Sequence, residues 1–374
     1  MPVKNFEILN TNTDQTTTRT LLHEAIPVTG TVVSGTYGTF PNENNIKNYT
    51  HGMFQSVYDY PYLSSSANHL FDITCGYSSI SALSGSANAV QESKKINLYN
   101  QFSQVLLGYT GSNNEVEVFE SDLNIADNNN QMKQCFFINF SRLLAKDQIK
   151  QGSFSIVIGT GSWGQPFSDD AGSTRVTLTD ASASSTDEGT TTSIGGDYGV
   201  LYESNANSAN GHRGQNTAQG IIFYQTGMIV LSSSIFTSGT TGPGGAGQHT
   251  FEFLKIGSAT QNVTQSLVQS AISGNCDALR HRIYNLSYNN TTEINSTIYF
   301  CRVPHNKFNY SSNPTYLSGS KIRVKTKAAD NPVSYITTIG LYNSSNELLA
   351  VAKLSEPLKK TPENEITLRV RLDY

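Results

Sequence analysis

Charge is scarce in this sequence. Asp, Glu, Lys and Arg make up 14% of its 374 residues, against about 25% in typical soluble domains. Neither sign dominates, with 25 Lys and Arg against 29 Asp and Glu, a net charge of −4. A surface that holds nucleic acid needs a basic excess to displace counterions from phosphate, so direct nucleic-acid binding is not expected. Cysteine is sparse too. Cys75, Cys135, Cys276 and Cys301 lie far apart with no CxxC pair, which argues against a zinc ribbon and leaves four small apolar thiols. No apolar run approaches the ~20 residues of a membrane-crossing helix, so no membrane partner is expected. Met1-Pro2-Val3-Lys4-Asn5-Phe6 lacks the apolar centre of a secretion signal. Synthesis in a cytoplasm is the expectation, and the Asn-x-Ser/Thr triplets, such as Asn48-Tyr49-Thr50 and Asn295-Ser296-Thr297, then carry no meaning.

Reaction motifs are missing as well. The histidines (His23, His51, His69, His212, His249, His281, His305) are dispersed, with no HExxH and no paired-ligand spacing. No G-x-S-x-G elbow occurs. Gly159-Thr160-Gly161-Ser162-Trp163-Gly164 matches G-x-G-x-x-G and follows an apolar run, but no helix pattern opens after it to meet a pyrophosphate. A strand-to-loop turn is the reading there. The Gly239–Gly247 loop lacks the Lys-Ser/Thr of a P-loop. Asp122, Asn124 and Asp127 supply oxygen, but Ala126 and a missing glycine break the calcium-loop pattern. No catalytic residue, cofactor or metal is assigned, and the chain is not expected to be an enzyme.

What is present is Asn, Ser, Thr and Gly for polarity, with 19 Tyr and 17 Phe. Disordered chains are poor in aromatics, so this composition specifies a folded protein. Ile366, Leu368, Val370 and Leu372 alternate with Thr367, Arg369, Arg371 and Asp373, a strand with one apolar face. Lys321 to Lys327 repeats the alternation. Val333 to Asn343 and Glu347 to Lys353 flank the turn composition Asn343-Ser344-Ser345-Asn346. Four strands therefore form an antiparallel module over 321–374, with Ile339, Leu341, Leu349, Val351, Leu368 and Val370 expected on its buried face, as core or interface.

Upstream, residues 1–40 read as an arm, with a strand within Ile26–Val33. The body spans 41–320. Residues 41–85 carry Phe54, Tyr58, Tyr60, Tyr62, Phe71 and Tyr77 around Pro61, which reads as irregular packed structure with a strand near Leu70–Thr74. Ile96, Tyr99, Phe102 and Leu106 recur at helical spacing within Ala87–Leu107, Gly108 supplies a stop, and Lys94 and Lys95 fall on the solvated face. Residues 111–133 form a polar loop. Cys135–Phe140 and Phe154–Ile158 read as buried strands around a short helix, Arg142–Lys150. Residues 168–196, dense in Ser, Thr, Asp and Gly, read as an exposed excursion. Strands return at Gly199–Glu203 and Gly220–Ile235, the latter broken at Gln225-Thr226-Gly227. Val263, Leu267, Val268 and Ile272 make a helix stopped by Gly274, and Asp277 caps a second holding Leu279, Ile283 and Leu286. The fold class is mainly β, with β-sandwich-like sheets and a few short-to-medium helices.

The run NPVSYITTIGLYNSSNELLAVAKLSEPLKKTPENEITLRVRLDY resembles the C-terminal segment of virion structural proteins of tailed phages, above all contractile-tailed phages of marine cyanobacteria. Within it, ITTIGLYNSSNELLAVAKL is similar to a hairpin of phage tail-fibre and tail-collar proteins. KKINLYNQFSQVLLGY and FFINFSRLLAKDQIKQGSFSIVIGTG resemble segments of the same virion proteins. The likeness covers about half the chain in separate blocks. It implies a virion structural role in neck, tail, baseplate or capsid decoration, with copies of itself and other virion proteins as partners. A second implied role is host recognition at a fibre or tail tip, with a host-surface glycan as partner.

Overall fold

Continuous apolar runs mark the central strands. Cys135 to Ile138, Ile221 to Phe223 and Met228 to Leu231 are apolar without interruption, the pattern of strands covered on both faces. The computed structural model describes residues 6–29, 38–39, 42–85, 91–109, 116–120, 131–167, 175–181, 190–204, 218–237, 252–311, 316–319, 321–322, 327 and 329–374. Two compact units emerge, Leu22–Thr292 and Met1–Leu21 with Glu293–Tyr374. The segment 321–374 lies wholly within the second.

In chain order the strands are β1 (Gln15–Thr29), β2 (Gly38–Thr39), β3 (Asn42–Glu43), β4 (Ile46–Asn48), β5 (Gln55–Tyr58), β6 (His69–Tyr77), β7 (Gln134–Phe140), β8 (Gln148–Ile149), β9 (Ser155–Gly159), β10 (Arg175–Thr179) and β11 (Thr190–Ser193). They continue with β12 (Gly196–Glu203), β13 (Ala218–Phe223), β14 (Met228–Ser232), β15 (Leu254–Ile256), β16 (Ala259–Gln261), β17 (Ile283–Val303), β18 (Leu317–Ser318), β19 (Lys321–Ile322), β20 (Ser334–Tyr342), β21 (Leu348–Lys360) and β22 (Ile366–Asp373). The helices are α1 (Glu92–Leu106), α2 (Arg142–Ala145), α3 (Val263–Gln269) and α4 (Ile272–His281). The protein is mainly β.

In the 22–292 unit the order β17-β9-β10-β12-β13-β14-β7-β6-β5-β4 is antiparallel at every step. The sheet folds over. Phe140 of β7 lies 4.7 Å from the ring of Tyr288 in β17, although those strands are far apart in the order. Period-two alternation then sorts each apolar run between two cores. Phe136, Ile138, Ile222, Ile229 and Leu231 enter a large core with Leu267, Ile272 and Leu279 of α3 and α4. Their neighbours Cys135, Phe137, Ile221, Phe223 and Val230 enter a second with Tyr99 and Leu106 of α1.

Several expectations are corrected. In residues 41–85 the strand near Leu70–Thr74 is the longer β6, and the stretch around it, read as irregular throughout, also holds the short strands β4 and β5, which pair in the order β4-β5-β6. The 168–196 excursion contains β10, whose Val176 and Leu178 are buried between β9 and β12. Alternation in Arg175-Val176-Thr177-Leu178-Thr179 outweighs the polar surroundings. Lys95 is fully buried rather than solvated: its Nζ donates to Leu267 O and Ser270 O, both at 2.6 Å. Those carbonyls end α3, where a cation satisfies the helix terminus. Gly274 and Asp277 lie inside α4 rather than at its boundary, and Ile283 and Leu286 belong to β17. The break falls instead at Ser270 and Ala271, and a capping box on Asn262 starts α3. The helix after Ser141 stops at Ala145, because Gln148 and Ile149 pair with β17.

Gly108, at φ +99°, ends α1 by donating to Ser103 O. Residues 1–40 include the 15-residue strand β1. Val32 and Val33, most of the 111–133 loop including Asp122, Asn124 and Asp127, the Gly239–Gly247 loop, and Arg323 to Thr326 lie outside the described residues.

Candidate interaction surface

The turn of the β20–β21 hairpin follows from asparagine chemistry. The Asn343 side-chain oxygen accepts from Ser345 N (3.0 Å) and Glu347 N (2.8 Å), and Asn346 adopts φ +61°. Asparagine tolerates both demands better than most residues. The opposite end is pinned. Ser334 Oγ donates to Phe308 O (2.5 Å), and Lys360 Nζ donates to Asn309 Oδ1 (2.8 Å), Thr361 O (2.7 Å) and His305 O (3.2 Å).

Register decides which apolar residues face the protein. Ile339 pairs with Ala352 and Leu341 with Ala350, and these four are half-buried. Leu349 and Val351 point the other way and are 69% and 52% exposed. Their expected burial is therefore corrected for this chain: β21 turns its alanines inward and its larger aliphatics to solvent. Leu348 and Tyr342 are exposed beside them. Gly340, paired with Val351, leaves a notch in this face. A Cβ there would come within 2.9 Å of the Tyr342 ring and 3.2 Å of Leu348 Cδ1. Phe6 meets Tyr342 edge-on at 5.0 Å. Gly340, Tyr342, Leu348 and Phe6 were not singled out from sequence, although a glycine inside the alternating Ile339-Gly340-Leu341-Tyr342 run is a signal for such a notch.

In β22, Leu368 is half-buried and Val370 buried, opposite Cys301 and Tyr299 of β17. Among the described residues β22 pairs only with β17, and β20 and β21 only with each other. Unpaired strand edges are templates for further strands.

Several ionisable groups of the 22–292 unit are turned inward. The Arg282 guanidinium, buried and held down to about 9 by desolvation, donates to Gly161 O (2.9 Å), Gly159 O (3.2 Å) and Glu252 O. The glycine-rich segment thus wraps an arginine. A Cβ at Gly159 or Gly161 would strike Pro166 O or Gln165 O at 2.4 and 2.3 Å, so these glycines serve the turn. Arg280 meets Glu43 through both nitrogens (3.1 and 3.2 Å) and Asp277 at 3.0 Å, and Gln55 donates to Asp277 at 2.6 Å. Burial pushes the Asp277 carboxyl up, against the pull of Arg280. Asp180, also pushed up by burial, accepts from Gly152 N, Phe154 N and Tyr224 Oη. Cys75 is buried and its thiol is pushed up to about 12 by desolvation. Among the described residues no three His, Cys, Asp or Glu side chains are placed to hold a metal ion, and no helix is long and apolar enough to cross a membrane.

The terminal unit thus carries an exposed apolar hairpin face, and the clusters around Arg280, Arg282 and Asp180 in the 22–292 unit are closed. No protein-family model, curated protein or solved structure matches the chain.

Proposed function

We propose that this chain is a non-enzymatic structural subunit of a tailed-phage virion. It acts by burying surface against copies of itself and neighbouring virion proteins, after assembly in the host cytoplasm. One observation carries the reading. In β21 the small residues Ala350 and Ala352 face the protein while Leu349 and Val351 face water. Apolar side chains grouped on one exposed face are a recurrent feature of surfaces that a partner covers. Among the described residues the outer edges of β20 and β21 pair with no further strand, which adds a backbone route to association. The resemblance of this segment to virion structural proteins supplies the context.

Mass spectrometry of purified, intact particles tests the proposal. The chain is expected among the virion proteins in a fixed ratio to them. Its absence from intact particles overturns the reading.

A further inference from the structure

A row of aromatic rings crosses the outer side of β4, β5 and β6. Alternation sends Ile46, Val57, Phe71 and Ile73 into the large core, which leaves Lys47, Ser56, Tyr58 and Asp72 on the opposite side. At one end His51 stacks on Tyr49, with centroids 5.1 Å apart and planes 11° apart, and Phe54 lies 4.7 Å from Tyr49. At the other end Tyr58 lies 5.4 Å from His69 and 6.2 Å from Tyr62.

Polar groups join the two ends. The Tyr49 hydroxyl is 3.2 Å from Ser56 Oγ, and Ser56 Oγ donates to Asp72. His69 Nε2 is 2.8 Å from the same Asp72 oxygen. The row is open to solvent at its far end: Tyr60 is 50% and Tyr62 36% exposed, and the side chains of His69 and Asp72 are about one third exposed.

Each class of ligand makes a different demand on such a face. A nucleic-acid strand needs cations along its phosphates. Here Lys47 lies over the Tyr49 ring and Lys94 donates to His51 O, while Asp59 and Asp72 add negative charge. A protein partner needs an apolar centre, and Leu63 is the exposed aliphatic on this stretch. A sugar ring needs what is present. Its C–H face is weakly positive and lies on the negative face of an aromatic ring. Its hydroxyls both donate and accept, which suits a carboxylate flanked by hydroxyl and imidazole groups.

We propose that this face binds an oligosaccharide, with Tyr62 and Tyr58 as the stacking platform and the Asp72–His69 pair hydrogen-bonding sugar hydroxyls. The inference stands apart from the virion reading, because it uses neither the hairpin nor any assembly contact.

The test is binding of the full chain to an array of neutral-hexose, amino-hexose and bacterial O-chain oligosaccharides, followed by titration of the strongest binder by saturation-transfer NMR. Tyr62→Ala and Asp72→Asn are each expected to weaken binding at least tenfold. Tyr62→Ala sits on an exposed loop, so its thermal midpoint is expected to equal that of the parent, and it decides the matter should Asp72→Asn fold poorly. The variant Leu349→Asp/Val351→Asp is expected to bind as the parent does. Absence of binding to every saccharide, or full binding by Tyr62→Ala, overturns the inference. So does binding of a thymidine oligonucleotide that Tyr62→Ala abolishes. A chain that binds no saccharide yet occurs in intact particles overturns this inference and leaves the virion reading in place.

Discussion

Ser334 and Lys360 stand directly opposite each other across β20 and β21, and both are buried, Lys360 completely. Each donates to the 305–309 loop, so the root of the hairpin is fixed while its turn end carries exposed Tyr342, Leu348 and Leu349. Lys360→Met removes the donor from three oxygens. A hydrogen bond of this kind contributes about 0.5–1.5 kcal/mol net. The terminal unit is expected to lose stability on that order in urea unfolding, with faster proteolysis inside the hairpin. An unchanged midpoint and cleavage pattern would refute the clip.

Leu349→Asp with Val351→Asp acts on the exposed face alone. Surface changes of this kind usually stay within about 0.5 kcal/mol of the parent, so folding is expected to be preserved. Sedimentation velocity over a concentration series is expected to show association in the parent and its loss in the variant. Equal association in both would remove this face from the account.

Arg280 is the centre of a buried ion cluster. Arg280→Ala strands Glu43, which is itself 4% exposed, and breaking a buried pair from one side costs roughly 3–5 kcal/mol. Arg280→Met with Glu43→Met is expected to cost less than Arg280→Ala alone, because no charge is left behind. A chemical-denaturation cycle across these variants reads the difference. A double variant weaker than Arg280→Ala would contradict it.

His281 gives a pH dependence of known sign. Burial holds its imidazole below the ordinary 6.5, and Nε2 lies 2.9 Å from Trp163 O with the two rings 4.6 Å apart. Below 6.5 the unfolded chain takes up a proton that the folded chain refuses. Stability therefore falls as pH drops through 6.5 toward the lowered folded value, and recovers as pH rises. His281→Gln is expected to flatten that slope in thermal unfolding between pH 5 and 7. A slope that persists in the variant would assign it to other groups.

The strands with long apolar runs were legible because burial on both faces leaves nothing polar in them. Cys135–Phe140 is sheet as read, within a residue, and the broken Gly220–Ile235 stretch is sheet as far as Ser232, after which Ser233–Phe236 turn into a short 3-10 helix. The asparagine turn at 343–346 was equally plain. Two kinds of feature were hidden. Lys95 and Arg282 look like solvated charges in sequence, and only the arrival of distant carbonyls, from α3 and from the glycine turn, makes their burial tolerable. In β21, Leu349-Ala350-Val351-Ala352 is apolar at every position, so alternation could not say which pair faces inward. The pairing of Ile339 with Ala352 decides it.

The terminal unit takes one piece from each end of the chain, residues up to Leu21 and residues from Glu293, with 22–292 between them. Domains form as their residues emerge during synthesis. The 22–292 unit has all its strands off the ribosome while β22 is still unmade, so the hairpin unit closes last. A nascent chain thus completes its larger core before the exposed Leu349–Val351 face exists, which shortens the time that face spends beside unfinished neighbours.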